Sequence, residues 1–580
     1  MQRSTLLVCF GFLLLAFSEA LAPADSPKLI RGVTLDSDIP FIATNNTHAV
    51  EQYKDEWEFN RNHLSNRPPS LGLSLSGGGM RSGTFSIGVL HGLAQIGLIT
   101  NIDVISSVSG GGYAASWYIS QNLPHPVDWK LLFNQTNGYQ TYLLNHGEVM
   151  SHFAATDTAG RHSEYVLNRF VVTALSMPIN LFANGVFGWH ANVVPLRRIY
   201  QNGLDRIFHA VPTKLSRSTD GEIAVEPSHF QARDHEFEEL RRGIMVNQLP
   251  FVIVNTTAHI QDLPTYEGSQ LKNCIFEFTP LRCGSDFFGY EPNFPFSYNR
   301  AISISGAAVD SVTLSKGSTE RMIASVFNFD WSYFVDNPKI SPTARFWRRF
   351  APIPVYPFLG HYQMDKNGDR IFLGDGGDSE NLGAYSLVRR FCRSIIIVDA
   401  GYDPDYTFDD YKILQRALLT ELGVKFVVPR IEDAIGNRHP FDGTHPIMHG
   451  TIASFPILQD KYGDIAAFPI PADAQETNIT INVAYIKLSL NPKMLTDSCG
   501  EETYPPEIVN YYDESKSRIS NTARLLGMKD VFPQEITEDL SYTPQQVEAY
   551  HELGLLTVTL HEYALLKALG MEQDQKQPKP

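Results

Sequence analysis

The chain has 580 residues, of which 43% are hydrophobic, 11% aromatic and 19% charged. That length suits three or four average domains or one large domain with insertions, and the composition excludes the disordered and fibrous classes. With 47 basic against 63 acidic residues the formal charge is −16, and a surface of that sign repels phosphate backbones, which argues against nucleic acid as a partner.

At the start of the chain, Arg3 precedes the apolar run Leu6 to Phe17, which is too short to span a bilayer and ends in Ser18-Glu19-Ala20. Residues 1–20 therefore read as a secretory signal peptide, and the expected localisation is secreted or lumenal. Cleavage after Ala20 or Ala22 removes Cys9 and leaves Cys274, Cys283, Cys392 and Cys499. Four cysteines allow three pairings, of which Cys274 with Cys283 closes the shortest loop; four buried thiols are the equal alternative. Asn45, Asn134, Asn255 and Asn478 stand in glycosylation sequons, acceptors if secretion passes through an oxidising reticulum.

Residues 21–69 form a polar extension, after which Leu71, Leu73 and Leu75 alternate as a buried strand does. From Arg81 to Gly97 the apolar Phe85, Val89, Leu90, Leu93 and Ile96 follow helical spacing, and Gly97 is a C-terminal stop. A second strand, Ile102 to Val108, leads through Ser109 to a helix from about Gly111 to Gln121. Strand, turn and helix repeated in this way specify a parallel α/β sheet. There is no internal repeat, low-complexity block or heptad pattern, which favours one integrated catalytic domain.

Two of these turns carry chemistry. Ser76-Gly77-Gly78-Gly79-Met80-Arg81 puts three glycines where a strand becomes a helix, so that backbone N–H groups can converge on one anionic atom. An oxyanion hole fits this better than a phosphate loop, since neither GxxxxGK[ST] nor GxGxxG is present. Val108-Ser109-Gly110-Gly111 sets a serine between a buried strand and a helix with glycine two positions later, as a nucleophile elbow requires; the glycine usual two positions earlier is here Ser107.

For a base, the cluster His439, His445 and His449 is interrupted by Pro440 and Pro446 and matches no ligand or triad spacing, so these read as loop residues. Tyr362 to Met364 and Arg370 to Leu373 flank an Asn-Gly turn and read as a hairpin that delivers Gly374-Asp375-Gly376-Gly377. Its DxNxD start lacks the glutamate of a calcium loop, Gly376 standing in that place. No metal and no cofactor are expected.

The blocks SGGGMRSGTFSIGVLHGLAQIGL, DVISSVSGGGYAASW and GDGGDSENLGAYSLVRRFCRSIIIVDAG resemble the core blocks of the patatin-like phospholipase family in content, order and spacing. PFVIVNTTAHIQD, IFEFTPLRCGS and NRAISISGAA resemble its intervening blocks, so the pattern runs discontinuously from about residue 71 to 405. The resemblance implies a three-layer α/β/α hydrolase with a mainly parallel central sheet and insertions. It implies a Ser-Asp dyad of Ser109 and Asp375, with Gly77, Gly78 and Gly79 as the oxyanion loop. Arg81 would bind a lipid phosphate or steady the loop, a structural salt bridge being the plainer role. Asn381, Leu382 and Gly383, with Tyr385, Leu387 and Val388, read as a helix start and its core face.

The implied organisation is a signal peptide at 1–20, an extension at 21–69, a catalytic domain at 70–425 with an insertion at about 140–245, and a C-terminal region at 426–580 packed upon it. Phe170 to Trp189 is nearly long enough to span a membrane but holds Pro178, Asn180 and Asn184; it reads as a lid, an acyl-channel wall or interfacial element, or a core helix. Phe346-Trp347-Arg348-Arg349-Phe350 to Phe358 suits a headgroup boundary or a packed loop. Glu236 to Arg242 reads as a solvated helix face. The expected function is a secreted lipid acyl hydrolase acting on phospholipid or lysophospholipid at a peripheral membrane interface. A transacylase with the same dyad, or an inactive lipid-binding protein on this scaffold, are the alternatives.

Overall fold

The computed structural model describes residues 69–133, 196–259, 274–307, 333–344, 370–453, 480–495, 503–517, 529–536 and 542–571, with short gaps inside these, and Glu56, Phe59, Leu64, Pro178, Ile179 and Phe182. The leader, the sequons at Asn45, Asn134 and Asn478, Cys499, most of the 170–189 segment, the 346–358 stretch and the Asn-Gly turn lie outside the described residues.

The first elements fall where the periodicity puts them. Strand β1 is Leu71–Leu75, helix α1 is Gly79–Gln95, β2 is Val104–Val108 and α2 is Gly110–Asn122. After helices α3 (Leu196–Phe208) and α4 (Phe237–Asn247) come β3 (Phe251–His259), β4 (Cys274–Phe278), β5 (Cys283–Ser285), β6 (Gly289–Glu291), helix α5 (Tyr298–Ser305), β7 (Tyr333–Asp336) and β8 (Arg370–Gly374). Then follow β9 (Ser394–Asp399), α6 (Asp409–Leu422), β10 (Lys425–Val427), β11 (Ile447–Ala453), β12 (Thr480–Lys487) and α7 (Pro544–Thr559).

These twelve strands join one sheet, in the order β6-β5-β4-β3-β2-β1-β9-β12-β11-β10, with β8 paired to β3 and β7 to β8, and four short strands between α3 and α4 form two separate ladders. Its middle, β3-β2-β1-β9-β12, is parallel, and its two flanks are antiparallel. The fold is thus mixed α/β around a large central sheet whose middle is parallel. Every residue of β1, β2, β3 and β9 is buried; since neighbours in a strand point to opposite faces, both faces of the sheet are covered. The alternation expected of Leu71, Leu73 and Leu75 is for that reason no alternation of burial: Gly72 and Ser74 are equally enclosed.

The sheet does not stop near residue 425. Strands β11 and β12 continue it, and α7 lies along α1 so closely that a Cβ on Gly88 would stand 2.0 Å from the His551 carbonyl oxygen. The C-terminal region is therefore built into the same core.

Strand β8 pairs with β7 on one side and β3 on the other, and Tyr362–Met364, the partner expected for it, lies outside the described residues. One expectation needs correction. The Asn255 sequon lies inside β3 with its side chain 2% exposed and its amide donating to Ser106 Oγ and the Ser107 carbonyl, which closes it to glycosylation. Of the two open readings of the cysteines, the described ones follow that of thiols: Cys274, Cys283 and Cys392 form no disulfide, Cys283 facing Phe278 in the β4–β5 ladder and Cys274 facing Ala258 of β3.

Candidate active site

Strand β3 explains how residues 266 positions apart meet. Strand β2 runs up beside it until Val108 faces Asn255. Strand β8 runs down the same ladder from the other end until Gly374 faces Thr257. The two strands approach head-on, and the residues that leave them, Ser109 and Asp375, emerge at the same place. Ser109 Oγ donates to Asp375 Oδ2 at 3.0 Å, and both side chains are nearly enclosed, at 6% and 7% exposure.

Ser109 has φ 48° and ψ −120°, a backbone that a non-glycine residue holds only when its surroundings impose it. Its N–H donates to Ser305 Oγ at 2.8 Å, and Ser305 Oγ donates in turn to the Asn255 carbonyl at 2.6 Å. Asp375 caps a short 3₁₀ turn, Gly376–Asp378. The Gly377 N–H donates to its Oδ1 at 2.8 Å, which fixes the carboxylate with Oδ2 toward the serine.

Two helix N-termini converge on this pair. Helix α1 begins at Gly79 and α2 at Gly110, directly after Ser109, and they touch: a Cβ on Gly110 would lie 2.7 Å from Gly79 N. Such ends carry orphan N–H groups and partial positive charge. Among the described residues the N–H groups of Gly78, Gly79 and Gly110 have no acceptor. Gly77 differs, because its N–H donates to the Asn381 carbonyl at 2.9 Å. Gly77 therefore anchors the loop and has no hydrogen left for an oxyanion, which corrects the expectation for it, while Gly78, Gly79 and Gly110 present open N–H groups beside Ser109.

Arg81 also departs from expectation. It is wholly buried, its Nε donates to the Ala400 carbonyl at 3.0 Å, its Nη1 donates to the Glu535 carbonyl, and its guanidinium carbon stands 5.7 Å from the centre of the Tyr402 ring. A side chain so enclosed steadies the loop and does not reach a headgroup, so its assignment to substrate binding is withdrawn.

Sequence reasoning missed the supports. Asn381, read as a helix start, donates from Nδ2 to Asp410 Oδ2 at 2.6 Å; burial, with Asp399 beside it, pushes the Asp410 carboxyl up to about 6. Tyr113, one turn after Ser109, shares a hydrogen bond of 2.6 Å with Tyr200 from the insertion, and Tyr200 donates to the Gly306 carbonyl at 2.9 Å. Burial raises both phenols above their ordinary range. His439, His445 and His449 are exposed, in and beside β11 at the far flank of the sheet. Among the described residues no three His, Cys, Asp or Glu side chains stand together as metal ligands, and no helix is long and apolar enough to cross a membrane.

Residues 73–178 match the family model described as Patatin-like phospholipase, a stretch that contains the glycine loop and Ser109 and ends before Asp375. The match points to lipid ester hydrolysis. No curated protein sequence matches the chain. Among solved structures, human GIVD cytosolic phospholipase A2 is similar at 13% identity and a TM-score of 0.47, over 91% of this chain and 67% of that one. Its complex with methyl gamma-linolenyl fluorophosphonate is similar at 14% identity and a TM-score of 0.43, over 91% of this chain and 64% of the other. VipD from Legionella pneumophila is similar at 14% identity and a TM-score of 0.22, over 58% of this chain and 51% of its own.

Proposed function

We propose that the chain is a serine acyl hydrolase that cleaves fatty-acyl esters of phospholipids or lysophospholipids, with Ser109 as nucleophile and Asp375 as base. The observation that carries this reading is the 3.0 Å hydrogen bond from Ser109 Oγ to Asp375 Oδ2 at a backbone-strained elbow where two helix N-termini meet. As Ser109 attacks the ester carbonyl carbon, its proton passes to Asp375, and the developing oxyanion is met by the N–H groups of Gly78, Gly79 and Gly110. The proton then goes to the departing alcohol, leaving an acyl-enzyme that water hydrolyses. A histidine is not required, because a nearly enclosed carboxylate in hydrogen-bond contact with the hydroxyl can take the proton directly. Ile179 and Phe182 are 58% and 61% exposed, which supports contact with a lipid interface. The leader reading adds an extracellular or lumenal setting, which amino-terminal mass analysis of mature protein tests: a start at Leu21 or Pro23 supports it and retained Met1 overturns it.

The test of the dyad compares Ser109→Ala, Asp375→Asn and the double variant. The amide keeps the turn's size and accepts the Gly377 N–H, yet it cannot take up a proton at neutral pH. Each single variant is expected to lose at least about a thousandfold in kcat with the melting temperature nearly kept, and the double variant to be scarcely worse, since the residues act as a unit. Additive losses, or labelling of wild type by a fluorophosphonate at a residue other than Ser109, would overturn the assignment.

A further inference from the structure

A buried ring of hydrogen bonds joins the insertion to the nucleophile. Helix α5 ends at Ser305, whose Oγ accepts the Ser109 N–H at 2.8 Å. The next residue, Gly306, offers its carbonyl to the Tyr200 hydroxyl at 2.9 Å, and Tyr200 lies on α3, inside the insertion. The one hydroxyl hydrogen of Tyr200 goes to Gly306, so in the 2.6 Å contact between the two phenols Tyr113 is the donor. Tyr113 stands on α2, four residues after Ser109, and this closes the ring. Ser305 and Tyr200 are 0% exposed and Tyr113 1%, which shuts solvent out of it. At Gly306 the backbone, with φ −99°, suits other residues, yet a Cβ there would overlap both phenol oxygens; it is the close approach of the phenols that requires glycine. Helix α3 also holds the opposite end of α5, where Asn299 Nδ2 donates to Asp205 Oδ1 at 2.9 Å.

We propose that Tyr200 is a positioning residue for the nucleophile: by holding the end of α5 it places Ser305 Oγ against the Ser109 N–H and so maintains the elbow from which Ser109 Oγ reaches Asp375. The inference rests on the Ser109–Asp375 reading, and it makes the insertion a working part of the site rather than a cover over it. Ser109, at φ 48° and ψ −120°, keeps its backbone because its neighbours impose it. Ser305 is the neighbour that grips its N–H, and Ser305 is itself held between the Asn255 carbonyl, to which its Oγ donates at 2.6 Å, and the end of α5. Removing the Tyr200 hydroxyl leaves the buried Gly306 carbonyl without that donor and the Tyr113 hydroxyl without that acceptor. The end of α5 then shifts to find other partners, and Ser109 moves with Ser305. A nucleophile set for attack tolerates little such displacement.

The test is a double-mutant cycle of Tyr200→Phe and Ser305→Ala. It is read as the rate at which a fluorophosphonate labels Ser109, and as kcat and KM on a p-nitrophenyl ester. Tyr200→Phe is expected to slow labelling and lower kcat about tenfold with KM held within about twofold, because the nucleophile is misplaced while the substrate binds as before. In the Ser305→Ala background the same change should cost no more than about twofold, since the link through which it acts is already cut. Tyr113→Phe keeps the bond from Tyr200 to Gly306 but takes away the donor that fixes the Tyr200 oxygen, so its loss should be smaller, about threefold, and should likewise vanish in the Ser305→Ala background; it supplies the readout should Tyr200→Phe fail to fold. A lower melting temperature with the labelling rate of the folded fraction unchanged would leave Tyr200 a prop of the fold alone, and losses that multiply in the double variant would take Ser305 out of the route. Either result overturns the proposal while the dyad stands. No labelling of wild type at Ser109 overturns the dyad and the proposal with it.

Discussion

The Arg81 guanidinium bridges carbonyls from two distant segments, Ala400 after β9 and Glu535 before α7, and a Cβ on Gly78 would lie 3.0 Å from its Nη2. A lysine has one ammonium at the end of a flexible stem and cannot span both carbonyls in a plane. Arg81→Lys is therefore expected to lower the melting temperature by several degrees and kcat about tenfold or more through the loosened loop. KM values for anionic and zwitterionic lipids should move together, within about twofold. Kinetics on matched vesicles of the two headgroup types check this, and a selective rise in KM for one headgroup would return Arg81 to substrate binding. Ser109, Gly78 and Gly79 were legible in the chain because a strand-to-helix turn announces itself within six residues. Gly110, the residue next to Ser109, stands in the same turn, where its N–H is open to an acceptor for the same local reason. Ser305 and Asn381 were not legible: their roles arise from one carbonyl, one N–H and one amide that meet the loop only through the register of β3 and the end of β9. Gly77 shows the opposite failure, since its place in the motif marks it as a donor and only the fold shows that Asn381 has taken its hydrogen.

Helix α1 carries glycines for different physical reasons, and these predict different costs. At Gly88 the neighbour is backbone: a Cβ would be 2.0 Å from the His551 carbonyl oxygen and 2.8 Å from its carbon. Since α7 presents Gly554 in return, whose Cβ would be 2.2 Å from the Phe85 carbonyl, neither helix has a side chain that can swing aside. Gly88→Ala should then push α1 and α7 apart and cost about 3 kcal/mol or more. Gly97, past the end of α1, has φ +78° and nothing within 4 Å of its Cβ position, so Gly97→Ala should cost only the left-handed backbone strain of about 1 kcal/mol. Urea unfolding of the two variants, with equal slopes, checks the ranking; equal losses would show that the α1–α7 approach is not the tight one. The stop at Gly97 and the strand ahead of the glycine loop could be read locally, because capping and strand patterning are local. The α1–α7 contact could not, because it joins residues more than 450 positions apart and has no periodic signature. Strand β8 was legible as a strand from its local pattern, but its place beside β3 beyond Val108 was not, because that ladder joins segments far apart in the chain and has no local signature.

Across the whole molecule a buried polar chain ties Glu56 to the Ser109 elbow. Arg390, wholly buried, donates to Glu56 through Nε at 2.9 Å and Nη2 at 3.0 Å, and to Glu277 of β4 through Nη1 at 3.1 Å and Nη2 at 3.0 Å. Burial pulls the guanidinium down, but Glu277 and Glu56 outweigh it and hold the proton more tightly than usual. The Ser386 hydroxyl stands between Glu277 and Asn255 Oδ1, and the Asn255 carbonyl receives Ser305, which receives the Ser109 N–H. The three charges are not equivalent. Glu277 has a second cation in Arg389, whose Nη1 stands 4.0 Å from its Oε1, and Glu56→Gln leaves Arg390 paired with Glu277, whereas Arg390→Met strips both buried carboxylates of the cation that holds each of them by two hydrogen bonds. The expected order of destabilisation is Arg390→Met above Glu277→Gln above Glu56→Gln, with the first costing about 3–5 kcal/mol and the last about 1 kcal/mol or less. Only Glu277 also touches the route to the nucleophile through Ser386, so Glu277→Gln should lower kcat in the folded fraction several-fold with KM held, while Glu56→Gln leaves kcat within about twofold. Thermal unfolding ranks the first effect, and the rate of Ser109 labelling by a fluorophosphonate ranks the second. Equal labelling rates for Glu277→Gln and Glu56→Gln would mean that the chain beyond Asn255 holds the fold without touching the elbow, and the strained φ of Ser109 would then depend on Ser305 and the Asn255 carbonyl alone.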